Sequence, residues 1–383
     1  MPQPSSKAQT TDKRPSVDMG SFLGLFLNAT YKHRVKLQKV YGSTNVRILG
    51  SAYDKERPMT KKEVQEAAKR LLFFSYRRCF TALPNGVTTD AGWGCLLRTG
   101  QMLMAYALMR FYAADTTHLP NTCVSDACKV RGEVLGSPDA AAQLRAAVQP
   151  LFMDSPDAPF GVHALQKAAA AFGLAYGVWL APSQIGRVLS AAAEAHRTRG
   201  NAAPVTRCCL DRCINETETL ELLEKVGPVL YLVPASLGIG KVSSFYESAL
   251  LKMLSMESCC GIAGGKSKAS IFFIGYQDRN VFYLDPHYVQ KAFAKLEKPR
   301  KLSKACGSRD VSAFQSCMLI GFYIANKEAF QTFTRDLEEM NAPFPFPLID
   351  VTQSSTVRSI DEAPAHEPHG EDHRDVVTWS SDG

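Results

Sequence analysis

The residue with the clearest potential for covalent chemistry is Cys95, which follows the segment DAGWG (residues 90–94). Residues 95–112, CLLRTGQMLMAYALMRFY, are apolar on most faces, which predicts a helix buried in a core. Gly92 and Gly94 permit a tight backbone path that delivers the sulfur to the N-terminus of this helix. There the helix dipole and the free N–H groups favour the nucleophilic thiolate. A cysteine that only packs the first turn of a core helix remains the alternative.

A nucleophilic cysteine needs a base that a third group holds in place, and residues 285–287 (Asp-Pro-His) offer both. Residues i and i+2 of an extended chain point to the same side, and Pro286 favours an extended Asp285. We therefore expect Asp285 to orient the imidazole of His287 and to stabilise the imidazolium. His287 lies 287 − 95 = 192 residues beyond Cys95, so their pairing is a tertiary contact. The alternative is an Asp-Pro turn that carries an exposed histidine.

The elements that must position these residues follow from the apolar pattern. Helical spacing predicts helices over residues 60–76, 95–112, 162–172 and 183–195, with Thr60 and Ser183 as N-caps. Short β-branched and aromatic runs predict strands over residues 229–233 and 319–324, and a hairpin from residues 270–276 and 281–284. Helices come first and strands gather in the C-terminal half. This order predicts an α+β fold with helices packed against a mostly antiparallel sheet.

Composition narrows the function classes. The 383 residues carry 44 basic and 37 acidic side chains, a net charge of +7 that does not indicate nucleic-acid binding. Eleven cysteines, an odd number, occur without an N-terminal apolar segment or an 18-residue apolar run. We therefore expect a cytoplasmic protein with free thiols, and the abundance of cysteine leaves redox regulation open. A phosphate loop at residues 261–267 is excluded because Cys260 replaces its first glycine, and no metal site is expected.

The domain boundaries follow from the distribution of small and polar residues. Residues 1–20 and 341–383 are predicted to be disordered N- and C-terminal segments on either side of one folded domain, residues 21–340. Within that domain, residues 115–150 and 195–217 are predicted insertions because their composition departs from the apolar segments around them.

Several blocks resemble the autophagins, autophagy-related cysteine proteases that process a ubiquitin-like modifier. The blocks include TTDAGWGC (residues 88–95), YGVWLAPSQIGRVL (176–189) and YLDPH (283–287), and they follow the family's order over about three-quarters of the chain. The resemblance implies a papain-like fold with a small accessory subdomain. It also implies cleavage after the modifier's C-terminal glycine and release of the modifier from phosphatidylethanolamine. No cofactor is implied. The enzyme is expected to be a monomer that meets membranes only through the lipidated substrate.

The resemblance also assigns the catalytic residues. Cys95 becomes the nucleophile, His287 the base and Asp285 the group that orients it. Papain-type enzymes place an oxyanion-hole glutamine six residues before the nucleophile, but this position is Thr89. The family instead uses a tyrosine of the preceding block, which is Tyr76 here, and the alternative role for Tyr76 is a core aromatic at a helix end.

Substrate binding is implied at two further places. Trp179 matches a tryptophan that covers the active-site cleft, although a tryptophan that fills the core is the alternative. Gly261, Ile262 and Ala263 match a mobile loop that faces this tryptophan.

Two departures from the family bear on function. One residue is missing between Tyr76 and Cys95. The alternative function is therefore that of a catalytically weak or inactive paralogue, which only binds the modifier. The usual acidic-aromatic docking motif at the C-terminus is absent. Residues 346–349 (FPLI) and 22–25 (FLGL) fit only the bare pattern of such motifs.

Overall fold

The computed structural model describes residues 27–29, 35–37, 45–53, 59–114, 138–265, 269–293 and 305–353. Its strands, in chain order, are β1 (Val46–Ile48), β2 (Ser51–Ala52), β3 (Arg77–Arg78), β4 (Val205–Cys208), β5 (Cys213–Asn215), β6 (Val229–Lys241), β7 (Cys259–Gly264), β8 (Ile271–Gln277), β9 (Asn280–Leu284), β10 (Gln290–Lys291), β11 (Cys306–Asp310), β12 (Gln315–Ile324) and β13 (Asp350–Thr352). Its α-helices are α1 (Lys61–Ala68), α2 (Cys95–Ala114), α3 (Pro138–Val148), α4 (Val162–Ala171), α5 (Pro182–Thr198), α6 (Glu216–Lys225), α7 (Glu247–Ser255) and α8 (Lys327–Asn341).

One large sheet organises the molecule, with the spatial order β11-β9-β8-β7-β12-β6-β4. Neighbouring strands in this order are antiparallel except β4 and β6, which are parallel. Helices α2 and α5 pack on one face, and α7 and α8 pack on the other. The predicted α+β fold with a mostly antiparallel sheet is therefore confirmed.

Strand β8 shows why the sheet can be covered on both faces. Phe272 and Ile274 belong to the hydrophobic core shared with α2, whereas Ile271 and Phe273 belong to the core shared with α7 and α8. This alternation follows from the two-residue period of a strand. A strand that is buried on both faces is apolar at every position, and the run SIFFIGY has this character.

Helix α2 is buried almost all round, with 17 of its 20 residues inaccessible, as its sequence predicts. The predicted hairpin is also present. Its first strand extends to Gln277 and its second begins at Asn280, so that only two residues form the turn.

Strand β6 continues beyond Pro234, although a strand end was predicted there. Its neighbour β4 ends opposite Leu232, so Pro234 lies at an open edge where a missing N–H costs nothing.

The helix predicted over residues 60–76 ends at Ala68. Its start is as expected, because Thr60 accepts a hydrogen bond from the Glu63 N–H and forms a capping box with the Glu63 side chain. The chain then becomes extended, and β3 pairs in parallel with β10. This tertiary pairing outweighs the helical spacing of the preceding residues. The second predicted cap, Ser183, lies within the first turn of α5, whose N-cap is Ala181.

The folded domain extends beyond the predicted boundary at residue 340. The Asn341 side chain accepts a hydrogen bond from the Leu348 N–H and donates one to the Ile349 carbonyl, at 2.9 and 2.8 Å. Strand β13 then pairs in parallel with β5. Of the candidate docking motif at residues 346–349, Phe346 is exposed but Ile349 is buried, so Ile349 is not available to a partner. The second candidate, residues 22–25, and the predicted N-terminal segment, residues 1–20, lie outside the described residues.

The two predicted insertions contribute to the domain where they are described. Residues 115–137 lie outside the described residues, but α3 follows them and buries Leu144 and Val148 in the core of α2. In the second segment, residues 195–217, β4 is an edge strand of the main sheet and β5 pairs with β13. Polar composition did not reveal these edge elements because edge strands are half exposed.

Candidate active site

The loop before α2 places the Cys95 sulfur at the helix N-terminus. Gly92 has φ of +94°, a backbone conformation that other residues rarely adopt. A Cβ at Gly94 would lie 2.6 Å from the Asp90 Cβ, so the chain can pass Asp90 closely only with glycine there. Cys95 is fully buried as the first residue of α2. Both glycines thus have the role that the sequence predicts for them.

The strand that carries the base ends in the predicted arrangement. After β9, the Asp285 N–H donates to the Ala305 carbonyl. One oxygen of Asp285, Oδ1, accepts hydrogen bonds from the His287 backbone N–H at 2.9 Å and from its ring Nδ1 at 2.6 Å. Both side chains are buried. Asp285 therefore fixes the ring orientation and leaves Nε2 as the nitrogen that can exchange a proton with substrate or thiol.

A third segment joins these two. The Tyr76 N–H donates to the Pro286 carbonyl at 2.8 Å, and the Gln290 N–H donates to the Tyr76 carbonyl at 2.9 Å. The Tyr76 ring meets the His287 ring edge-on, with centroids 5.2 Å apart and planes at 89°. A charged Cys95 also acts on the Tyr76 hydroxyl and raises its pKa, in the same direction as the larger effect of burial. The structure therefore brings Cys95, His287, Asp285 and Tyr76 into one buried cluster.

The electrostatics favour a charged pair of Cys95 and His287. Burial opposes ionisation of the thiol, but the nearby, positively charged His287 ring outweighs it together with smaller contributions, so the pKa of Cys95 lies below its ordinary value. Burial likewise opposes the imidazolium, but the charge and hydrogen bond of Asp285, with a smaller contribution from Cys95, raise the pKa of His287 to about 9. Both shifts favour the thiolate–imidazolium form of the pair over the neutral form.

The contact between these two groups is looser than a standard hydrogen bond. Among the described residues, His287 Nε2 has no partner within the distance and angle limits of such a bond, although His287 and Cys95 each shift the pKa of the other. Electrostatic coupling tolerates a longer separation than hydrogen-bond geometry does. Catalytic hydrogen bonds often tighten only as the transition state forms, so the looser contact is compatible with catalysis.

Tyr76 remains protonated at any relevant pH. Burial raises the pKa of its hydroxyl far above the ordinary value, and the negative charges of Cys95 and Asp90 raise it further. A neutral hydroxyl next to the sulfur can donate a hydrogen bond to an oxygen that becomes negative when the sulfur attacks a carbonyl.

Two groups from other elements also contact the sulfur. Burial raises the pKa of Cys95, and the Ser270 backbone and the side chain of Trp179, which is 40% exposed, are among the groups that lower it. The Ser270 hydroxyl lies 2.8 Å from the Thr99 hydroxyl of α2, which links the start of β8 to the nucleophile helix. Trp179 therefore lies at the mouth of the site and does not fill the core.

Comparison with known proteins identifies the class of this site. Residues 61–336 match the Peptidase C54 catalytic domain, a range that contains every residue of the cluster. The chain belongs to the peptidase C54 family. It is similar to Cysteine protease ATG4D of Xenopus laevis, with 28% identity over 85% of this chain and 77% of the relative. It is also similar to Cysteine protease ATG4 of Medicago truncatula, with 29% identity over 85% of this chain and 67% of the relative.

This C54 peptidase is a cysteine protease with a papain-like α+β fold, as its sequence predicts. In the part of the chain that the structure describes, no helix combines the length and the apolar character needed to cross a membrane.

The residues expected to form a mobile loop occupy a different place in this C54 peptidase. Gly261, Ile262 and Ala263 lie in β7, are fully buried, and pair with β8 and β12 on either side. A Cβ at Gly261 would collide with the Phe272 ring, and its φ is +95°. Small residues are present here because a central strand passes close to an aromatic side chain.

Sequence reasoning missed three buried charged residues near the nucleophile: Asp90, Arg98 and Asp154. Arg98 could have been noticed because it is the sole charged residue among the first 15 residues of α2. Asp90 lies in the segment before Cys95, but its burial does not follow from local sequence. Asp154 gives no local signal at all, since its role depends on a tertiary contact.

Proposed function

We propose that this C54 peptidase cleaves after the C-terminal glycine of a ubiquitin-like autophagy modifier. It would expose the glycine in the modifier's precursor and later release the modifier from phosphatidylethanolamine. The buried pair of Cys95 and His287, whose pKa shifts favour thiolate and imidazolium and which has Trp179 at its mouth, is the observation that supports this proposal most directly.

The proposed reaction is acyl transfer through Cys95. The thiolate attacks the glycine carbonyl carbon, and the resulting oxyanion accepts hydrogen bonds from the Tyr76 hydroxyl and from backbone N–H at the α2 N-terminus. His287 gives its proton to the departing amine as the C–N bond breaks. A water molecule then attacks the thioester, His287 takes the proton of that water, and the C–S bond breaks to regenerate the thiolate.

Both substrates fit the same step. In the precursor the leaving group is the amino group of the following residue, and in the lipid conjugate it is the amino group of phosphatidylethanolamine. Each bond is an amide of the same glycine. A glycine also suits a passage bounded by the indole of Trp179, because any Cβ there would occupy space next to the sulfur.

The proposal further includes a cytoplasmic monomer that requires no metal or cofactor and no nucleic acid. The residues of the cluster assemble within a single chain, so the site itself needs no residue of a second subunit. Size-exclusion chromatography of the active protein measures this directly, and activity confined to a dimer fraction would contradict it.

The test is cleavage of a modifier precursor that carries a C-terminal extension, alongside release of a lipidated modifier from vesicles. We expect both activities in the wild type and neither in Cys95→Ala. Cleavage by Cys95→Ala at the wild-type rate would remove Cys95 from the mechanism.

The alternative is a paralogue that binds the modifier without cutting it, which the missing residue between Tyr76 and Cys95 favours. A modifier whose C-terminal glycine carries an electrophile separates the two. Rapid labelling confined to Cys95 supports the protease, whereas binding without labelling supports the interaction module.

A further inference from the structure

A buried ionic cluster lies one helical turn beyond the nucleophile. The Arg98 side chain is fully buried, as are the two carboxylates it contacts. Its Nε donates to Asp90 Oδ2 at 2.5 Å, and its Nη1 donates to Asp154 Oδ1 at 2.8 Å. Gln101, one turn later on the same helix face, accepts a further hydrogen bond from Nη1 at 3.1 Å. Buried charges are costly, so a paired arrangement such as this one needs an explanation beyond stability.

Each carboxylate of the cluster also holds the backbone of one catalytic segment. Asp90 Oδ1 accepts from the N–H of Arg77, the residue after Tyr76, at 2.5 Å. Asp154 Oδ2 accepts from the N–H of Phe293, six residues after His287, at 2.9 Å. The Phe293 carbonyl in turn accepts from the Asp154 N–H at 3.0 Å. Arg98 thus connects α2, through two carboxylates, to the segments that carry Tyr76 and His287.

Arg77 connects the segment that carries Tyr76 to the segment that follows His287. Its Nη1 donates to the Lys291 carbonyl at 2.9 Å, and its guanidinium lies 5.2 Å from the centre of the Phe293 ring. Its Nε is 3.8 Å from Asp154 Oδ2. The segment with Tyr76 and the segment with His287 are therefore bound to each other as well as to Arg98.

From this geometry we infer that Arg98 is a positioning residue, whose guanidinium sets the separation between Cys95 and His287 by holding Asp90 and Asp154 at fixed places. This inference rests on the catalytic pair of the proposed function. Arg98 does not touch the reacting atoms, so its effect is indirect. A planar guanidinium holds two carboxylates at once in fixed directions, whereas a lysine ammonium has no such fixed geometry.

The test is Arg98→Lys, which keeps the positive charge and removes the planar guanidinium that contacts both carboxylates. We expect kcat to fall about 10²-fold with KM within about twofold, because small misplacements of reacting groups carry costs of this size. Trp179 is not part of the cluster, so substrate binding should be preserved. We also expect the rate of Cys95 alkylation by iodoacetamide at pH 7 to fall about tenfold, because a displaced His287 stabilises less thiolate.

The matched control is Arg110→Lys on the same helix. Arg110 donates to the Glu257 carbonyl at 2.7 Å and stacks over Tyr323, with its guanidinium 5.0 Å from the ring centre, but it lies 12 residues beyond Arg98. We expect wild-type kcat and alkylation from this variant. If Arg98→Lys lowers only the melting temperature and keeps the wild-type kcat and alkylation profile, the cluster merely stabilises the fold and the inference is overturned.

A second pair of variants covers the case in which Arg98→Lys does not fold. Asp154→Asn retains a carbonyl oxygen for the Phe293 N–H, whereas Asp154→Ala does not. We expect kcat to fall in both variants, and we expect the kcat of Asp154→Asn to be closer to that of the wild type. Equal kcat in Asn, Ala and the wild type would contradict the inference.

Alkylation needs no protein substrate, so the two proposals fail separately. If the wild type alkylates rapidly but does not cut the modifier, the substrate assignment fails and the positioning role of Arg98 is still measured.

Discussion

Replacement of Asp285 by asparagine removes one negative charge and leaves the shape of the site intact. The amide oxygen of Asn can still accept the two hydrogen bonds that Oδ1 accepts from the His287 N–H and Nδ1. What changes is the stability of the imidazolium. We therefore expect a folded protein with lower activity and a shifted pH profile.

The magnitude follows from the His287 pKa. A pKa of about 9, against an ordinary value of 6.5, corresponds to about 3 kcal/mol of preference for the imidazolium, to which Asp285 contributes more than Cys95. The imidazolium exists below its pKa, so the wild type should lose activity as the pH rises through about 9. Without the carboxylate this alkaline limb should move down by about 1–2 pH units, and kcat/KM at neutral pH should fall by ~10²–10⁴.

The assay measures kcat/KM for a modifier precursor from about pH 5.5 to about pH 10. Circular dichroism checks the folded fraction of each variant. Asp336→Asn is the control, since Asp336 pairs with Lys252 at 3.0 Å on another part of the molecule. An unchanged alkaline limb together with kcat/KM within about threefold of the wild type would mean that a group other than Asp285 stabilises the His287 imidazolium.

Three further predictions concern two other residues of the site and the central strand β7. Tyr76→Phe should lower kcat by ~10²–10³ with little change in KM, since it removes a hydrogen bond made to the oxyanion. Trp179→Ala should raise KM for the modifier about tenfold while the melting temperature stays within about 2 °C, because the side chain is partly exposed at the mouth. Gly261→Ala should lower the free energy of unfolding by about 3 kcal/mol or more in urea titrations, since its Cβ meets the Phe272 ring. Gly173→Ala, at φ of +78° with no neighbouring atom within 4 Å, should lower it by only about 1 kcal/mol.

Controls for the two aromatic residues are available in the same chain. Tyr112→Phe removes a buried hydroxyl that donates to the Ala202 carbonyl, away from the sulfur, and should keep the wild-type kcat. Phe172→Ala removes an exposed ring that stacks with Arg187 and should keep the wild-type KM. If Tyr76→Phe has the same kcat as Tyr112→Phe, Tyr76 does not have the role proposed for it. The same holds for Trp179 if Trp179→Ala has the same KM as Phe172→Ala. Gly261→Ala no less stable than Gly173→Ala would contradict the packing of β7.

The local geometry around Cys95 and around His287 could be predicted because each has a local signal. The glycines before Cys95 and the apolar helix after it define a helix N-terminus, and the two-residue spacing of Asp285 and His287 defines a hydrogen bond. Each is a property of a few consecutive residues. The meeting of Cys95 with His287 is not local, and the resemblance to a known family supplied it.

What sequence could not supply depends on tertiary contacts. Residues 69–76 carry apolar residues at helical spacing but leave the helix through a turn, because residues 76–78 pair with the chain that follows His287. Gly261 and its neighbours are small, which fits a loop as well as a crowded central strand. Only the position of Phe272 distinguishes the two possibilities.

The C-terminal boundary shows the same limit. Residues 341–353 are rich in proline and polar residues, yet Leu348 and Ile349 are buried because Asn341 fixes the turn that returns them to the domain. A single polar side chain that bonds two backbone groups has no signature in composition.

The most direct test of the central claim is the pH dependence of Cys95 alkylation in the wild-type protein. Peptide mapping separates Cys95 from the exposed Cys79, Cys213 and Cys317. A thiolate stabilised by His287 predicts a midpoint below the ordinary thiol value of about 8.5, and a return towards that value in His287→Ala. A midpoint at or above about 8.5 in the wild type would contradict the thiolate–imidazolium pair on which the mechanism rests.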